Sequence, residues 1–211
     1  MTDQLSLYNG ALRIIKNRKL DSLTEDVEER YLLDDEFAKA LKYCLEQGLW
    51  NFALRTSLIE PDDTNEPVWG DTYAFLKPDD FIRLNAISAD AYFSRTLEAY
   101  TDEGPYWIAS INPLYVSYIS DHELYGKDYG RWPETFANFV EWELADRIAP
   151  HLTAMSDADL KYLYQRKLEM MKDARSKDAL NQPSKRPPPG RLVQARNGGR
   201  YSSNDGRPWW R

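Results

Sequence analysis

One cysteine and two histidines in 211 residues leave several chemistries with little to work on. A lone Cys44 excludes an intrachain disulfide. Its place on the apolar side of a helical pattern makes it a small hydrophobe rather than a nucleophile, a usage that fits a reducing compartment. His122 sits in Asp121-His122-Glu123 and His151 follows Pro150, and neither has a second histidine or cysteine at metal-ligand spacing. The acids Asp62, Asp63 and Glu66 lack the alternating pattern around a central glycine that a calcium loop needs. The chain contains no G-x-x-x-x-G-K-[ST], G-x-G-x-x-G or G-x-S-x-G, so phosphate cradles and nucleophile elbows have no support. Long apolar runs are missing too: no stretch approaches the roughly twenty residues of a membrane helix. Met1 to Asn9 carries neither a basic leader nor an apolar segment. The expectation is a soluble, cytoplasmically made protein with no cofactor, no metal and no membrane segment, and nothing in the sequence nominates a substrate for an enzyme.

The chain is rich in aromatic residues and unevenly charged. A content of 42% hydrophobic and 13% aromatic residues suffices for a sizeable core, so the body is expected to be globular. The net charge of −7 hides an asymmetry. From Pro183 to Arg211 there are seven basic residues against one acid, which makes that end +6 and leaves −13 on the remainder. Such a split describes partners more than fold.

Gln4 to Asn17 has helical spacing, with Leu5, Tyr8, Leu12 and Ile15 on one stripe. Ser22 and Glu25 have capping-box spacing, with Thr24 as an alternative cap. They predict a second helix over 24–47 that buries Leu33, Phe37, Leu41, Cys44 and Leu45. A short connection would make the two helices antiparallel neighbours. Gly48 is placed to close this helix in a left-handed conformation. Trp50 and Phe52, two apart, would then point to one face of a strand over Asn51–Leu58. The stretch 60–67 and the segment Phe75-Leu76-Lys77-Pro78-Asp79-Asp80 are expected to be turns. Strands are expected over Phe81–Ser88, Glu98–Ser110 (folded back at Thr101–Pro105) and Pro113–Ser120, making a small antiparallel sheet within 51–120.

Trp132-Pro133-Glu134 opens a third helix over 133–149, ended by Pro150. Ser156 caps a fourth over 156–180, whose polar second half is expected to project beyond the core. The expected fold is α+β and mainly α: a four-helix body over 1–181, a small antiparallel sheet inserted between helices 2 and 3, and an extended C-terminal tail over 182–211. The tail's Pro187-Pro188-Pro189 and its scattered glycines favour extended, non-globular chain. Its candidate partner-binding residues are Lys185, Arg186, Arg191, Leu192, Val193, Arg196, Arg200, Tyr201, Trp209, Trp210 and Arg211. Arginine forks and tryptophans anchor protein interfaces. The alternative is a nucleic-acid arm, in which the tryptophans stack on bases while the arginines meet phosphates. The spacing of the basic residues, with no dense run, favours docking on protein.

The order of several short motifs resembles the head-to-tail connector (adaptor) proteins of tailed bacteriophages, of the tail tubular protein A type. They are Leu5 with Asn9-Gly10-Ala11-Leu12-Arg13-Ile14-Ile15; Leu20-Asp21-Ser22-Leu23-Thr24-Glu25; Glu46-Gln47-Gly48-Leu49-Trp50-Asn51-Phe52-Ala53; Phe75-Leu76-Lys77-Pro78-Asp79-Asp80; and Trp132-Pro133-Glu134-Thr135-Phe136. The corner Gly48, Trp50, Asn51 and Phe52 is the most distinctive piece. Lys16 departs from the pattern, since many members carry glycine after the first helix. The resemblance spans Leu5 to Thr153 and does not reach the tail. It implies a non-enzymatic virion protein at the portal vertex: a homo-oligomeric ring, typically of twelve copies, between the portal protein and a downstream tail or nozzle protein. Genomic DNA would pass through such a ring without specific binding. In that setting the projecting helix and the tail would reach the portal or a neighbouring subunit.

Overall fold

The computed structural model describes residues 2–65, 67 and 72–181. The order of elements is α1 (Gln4–Ile14), α2 (Glu28–Glu46), β1 (Leu54–Ile59), β2 (Tyr73–Leu76), β3 (Phe81–Ser88), β4 (Thr101–Glu103), β5 (Tyr106–Ala109), β6 (Leu114–Ser120), α3 (Glu134–Leu152) and α4 (Asp157–Leu180). The fold is α+β and mainly helical, as the patterning implies, with four α-helices among the described residues and antiparallel strands between α2 and α3.

Helix α3 is the hub. Phe136, Ala137, Phe139, Val140, Leu144, Ala145, Ile148 and Ala149 are all buried, a stripe broad enough to face several partners at once. Helices α1, α2 and α4 pack on it. The connection Ile15–Val27 is long enough that α1 and α2 need not form a tight hairpin. They meet chiefly through Tyr8, whose ring lies edge-on to Phe37 at 5.4 Å. Its hydroxyl donates to Asp34 at 2.8 Å.

The inserted strands form two sheets rather than one, in the orders β1-β6-β3 and β2-β5-β4. Tyr73–Leu76 is a strand paired with β5, so the expected turn shrinks to Lys77–Asp80. The register of β1 on β6 runs from Leu54 opposite Ile119 to Ile59 opposite Leu114. Because successive side chains point to opposite faces, Leu114, Val116 and Tyr118 of β6 enter a second small core with Phe75, Ile87, Trp107 and Ala109. Ile119 points the other way, into the helical core. The central strand is therefore buried on both faces.

Several boundaries differ from expectation for local reasons. Helix α1 stops at Ile14 because Lys16 adopts φ 58. The Asn17 N–H then returns to the Leu12 carbonyl (2.9 Å) and the Lys16 N–H to that of Arg13 (3.1 Å), a Schellman closure. Helix α2 begins at Glu28 with Val27 as an uncapped N-cap. Glu25 does not close a capping box, since its carboxylate accepts from the Asp21 N–H and from Arg18. Pro150 lies inside α3, which continues to Leu152; a proline this near the end removes only one late helical bond. Thr153 closes the helix, its N–H and Oγ1 both donating to the Ala149 carbonyl.

The second half of α4 does not project. Lys172, Asp173, Arg175, Ser176 and Lys177 are exposed, but Ala174 and Asp178, four apart on one face, are buried. The polar composition of this half misleads because its contact with the body is itself polar.

Candidate functional site

The corner after α2 is built differently from the expected strand. Gly48 is not left-handed, and Gln47 ends the helix with ordinary helical φ and ψ. Glycine is required at 48 for space: a Cβ there would lie 2.8 Å from the Trp50 ring. Residues Asn51–Ala53 form a single 3-10 turn, and β1 starts only at Leu54. The turn still sends both rings inward. Trp50 and Phe52 lie 4.8 and 4.7 Å from Phe136, and Trp132 meets the same ring at 4.9 Å. Trp50 also donates its indole N–H to the Cys44 carbonyl at 3.0 Å, a second donor on a carbonyl that already accepts the Gln47 N–H at 3.3 Å. Gly48, Trp50, Asn51 and Phe52 thus act as one unit.

Asn51 carries the link that sequence reasoning missed. Its backbone N–H donates to both carboxylate oxygens of Asp178, at 3.3 and 3.1 Å. Its side-chain amide donates to the Asp178 carbonyl at 2.8 Å and to the carboxylate at 3.2 Å. Nearby, Arg175 donates to the Gln47 side chain at 3.3 Å. Burial pushes the Asp178 carboxyl above its usual range, and the bonds from Asn51 pull it back only in part. The available signal was the stripe Leu163, Lys167, Ala174 and Asp178, which keeps helical period to the end of α4.

A second polar cluster joins α2, α3 and α4. Arg147 donates to Glu143 at 2.6 Å and to Glu36 at 3.1 Å. Lys167 donates to Asp146 at 2.5 Å and lies 3.2 Å from the second Glu143 oxygen. Burial alone would lower the Lys167 pKa, but Asp146 and Glu143 outweigh it and hold the ammonium charged. A lysine held in this state is a structural cation and not a base.

In the first sheet, Asp80 accepts from Arg55 (2.7 Å), Tyr118 (3.1 Å) and Ser120. Burial works to raise its pKa, and these donors overcome it to hold the carboxyl below its usual value. Every member of this group is spent on joining β1, β6 and the turn before β3.

The two histidines lie apart, in a loop and at a helix end. His122 uses Nδ1 to accept the Leu124 N–H at 3.2 Å, and His151 is exposed in the last turn of α3. Cys44 is fully buried, and burial pushes its thiol well up, away from the reactive thiolate. In the acidic loop, Asp62 accepts from Thr64 and from the Tyr106 hydroxyl. Among the described residues, no group of three His, Cys, Asp or Glu side chains is placed to hold a metal ion. Nor, among them, is any helix long and apolar enough to cross a membrane.

The expected partner-binding residues Lys185, Arg186, Arg191, Leu192, Val193, Arg196, Arg200, Tyr201, Trp209, Trp210 and Arg211 lie outside the described residues. No protein-family model matches the chain, and no curated protein matches its sequence.

Proposed function

We propose that this chain is a structural virion protein, a ring-forming head-to-tail adaptor that joins a portal to the tail and lines the DNA exit channel. The observation that carries the reading is the Gly48–Phe52 corner. The motif that most resembles the adaptors is also where α2, α3, α4 and the inserted strands meet. A corner that ties four elements into one wedge suits a subunit that must hold its shape against identical neighbours. The groups inside it are positioned and mutually satisfied, and none is poised as a nucleophile or a free general base. In this reading the protein is not an enzyme, and it acts as about twelve copies between the portal and a downstream tail or nozzle protein. With α4 folded back on the corner, the reach to the portal or to a neighbour falls to the basic tail. The acidic remainder of the chain favours passage of DNA without a grip on it, since like charges repel phosphates.

The deciding measurement is the mass of the full chain, alone and mixed with the portal of its phage, by native mass spectrometry or sedimentation. A large oligomer on the portal is expected. A strict monomer indifferent to the portal would overturn the reading. The +6 charge of the last 29 residues favours one second reading, a nucleic-acid-binding module. Truncation after Leu180 separates the two: an adaptor loses portal binding with little change in DNA affinity, whereas a nucleic-acid module loses DNA binding.

A further inference from the structure

Between α1, the turn that follows it and α3 lies a cleft of about 930 Å³. Gly10 and Glu141 meet in its lining. A Cβ on Gly10 would fall 2.1 Å from the Glu141 Cδ and 2.3 and 2.4 Å from its oxygens, so the carboxylate occupies the space the glycine leaves free. The Glu141 side chain is only 14% exposed. Among the described residues it accepts no hydrogen bond. Its one ion pair is with Arg13 at 3.7 Å, and that arginine side chain is 79% exposed. Burial pushes the Glu141 carboxyl up, Arg13 draws it down, and Glu134 raises it further.

The other polar groups of the interior are spent. Asp3 caps α1 by accepting the Ser6 N–H at 2.7 Å. Asn9 clasps Leu20, accepting its N–H at 2.8 Å and donating to its carbonyl at 3.1 Å. Lys16, Lys19 and Asp21 line the cleft as exposed residues. A largely covered carboxylate with no hydrogen-bond donor from the described chain and one cation at 3.7 Å is under-partnered, and a donor entering the open cleft would complete it.

We propose that this cleft is a binding site for an arginine side chain of a partner protein, with the guanidinium forked onto Glu141. Arginine fits better than lysine. Its planar fork meets both carboxylate oxygens at once, and it gives up water more readily than an ammonium does. The exposed Lys16 and Lys19 favour a carboxylate beside that arginine in the partner. The inference does not depend on ring assembly, and it can fail while the adaptor reading stands.

The test follows the backbone amides of Gly10 and Glu141 in the full chain by NMR during titration with N-acetyl-arginine-N-methylamide. The neutral citrulline counterpart and the Glu141→Gln variant serve as comparisons. Saturable shifts at both amides are expected with the arginine probe, and about tenfold or weaker binding for citrulline and for the variant. The groups facing Glu141 are Arg13 from α1 and Glu134 from its own helix, with Asp3, Asp21, Lys16 and Lys19 lining the same cleft. Affinity for the arginine probe should rise as pH climbs through the raised Glu141 value, and this rise should vanish in Glu141→Gln. Circular dichroism of the variant checks that it folds. Equal binding of arginine and citrulline, undiminished binding by a folded Glu141→Gln, or no saturable shift at Gly10 would each overturn the proposal.

Discussion

Asn51 holds Asp178 by four donated hydrogen bonds, although the two residues are 127 positions apart. The clasp fastens the last turns of α4 to the corner between α2 and β1. Apart from it, only Ala174 is buried along that half of the helix. Asp178→Ala would remove the carboxylate that accepts the Asn51 backbone N–H, leaving only the backbone carbonyl of residue 178 to the Asn51 side chain, at a cost of about 1–3 kcal/mol. Urea unfolding measures this, and a change within a few tenths of a kcal/mol would show the clasp to be incidental.

The same carboxyl predicts a pH effect. Its folded pKa is raised, so the folded chain holds the Asp178 proton more tightly than the unfolded chain does. The stability it contributes is full below the ordinary carboxylate value and is lost as pH rises through the folded value. Relative to Asp178→Asn, which has no proton to lose, the wild type should therefore lose stability across that rise. Parallel stability profiles for the two proteins would contradict the assignment.

Gly48→Ala should destabilise by about 1–3 kcal/mol, the usual cost of forcing an extra carbon into packed space. The Trp50 ring is the obstacle, not the backbone. The cost should therefore shrink in a Trp50→Phe background, where the ring is smaller. A double-mutant cycle reads this directly, and simple additivity would point instead to backbone strain.

Lys16→Gly should stabilise the protein by about 1 kcal/mol, because a left-handed conformation opposes a Cβ but not glycine. The Schellman bonds are made by the backbone and survive the change. A lower thermal midpoint would mean that the lysine side chain contributes more than its backbone costs.

Lys167→Met breaks a buried ion cluster on one side only. It should cost about 3–5 kcal/mol, since Glu143 and Asp146 lose their shared cation. Adding Asp146→Asn should recover part of that loss by neutralising the carboxylate left without its cation, since Glu143 keeps Arg147. Unfolding of the single and double variants decides it, and a double variant worse than the sum of the singles would reject this account.

Much of the architecture was legible because periodicity reports burial. The stripe Phe136, Phe139, Val140, Leu144 and Ile148 marked α3 as a core helix, and the alternation of Leu114, Val116 and Tyr118 marked one face of β6. The Ser156 cap could be read from a single residue and its spacing to Asp159. The strand expected over Phe81–Ser88, after the turn that ends at Asp80, is β3 with the same limits. The corner motif was legible as a rigid, aromatic junction, but not how it is made. Gly48 reads equally well as a left-handed cap or as a gap for a ring, and only the position of Trp50 separates the two.

What the sequence determined by itself is the set of local preferences: four helices, short strands between the second and third, an acidic body and a basic, proline-rich end. These follow from neighbours a few positions apart. The tertiary structure decided the pairings that no local rule reaches. It split the strands into two sheets, since β6 must bury both faces. It brought Glu141 over Gly10 from a different helix. It also turned the polar half of α4 back onto Asn51, because a buried carboxylate with two backbone-anchored donors can hold a helix that apolar contact does not. The corner after α2 is therefore a joint held partly by a residue 127 positions away.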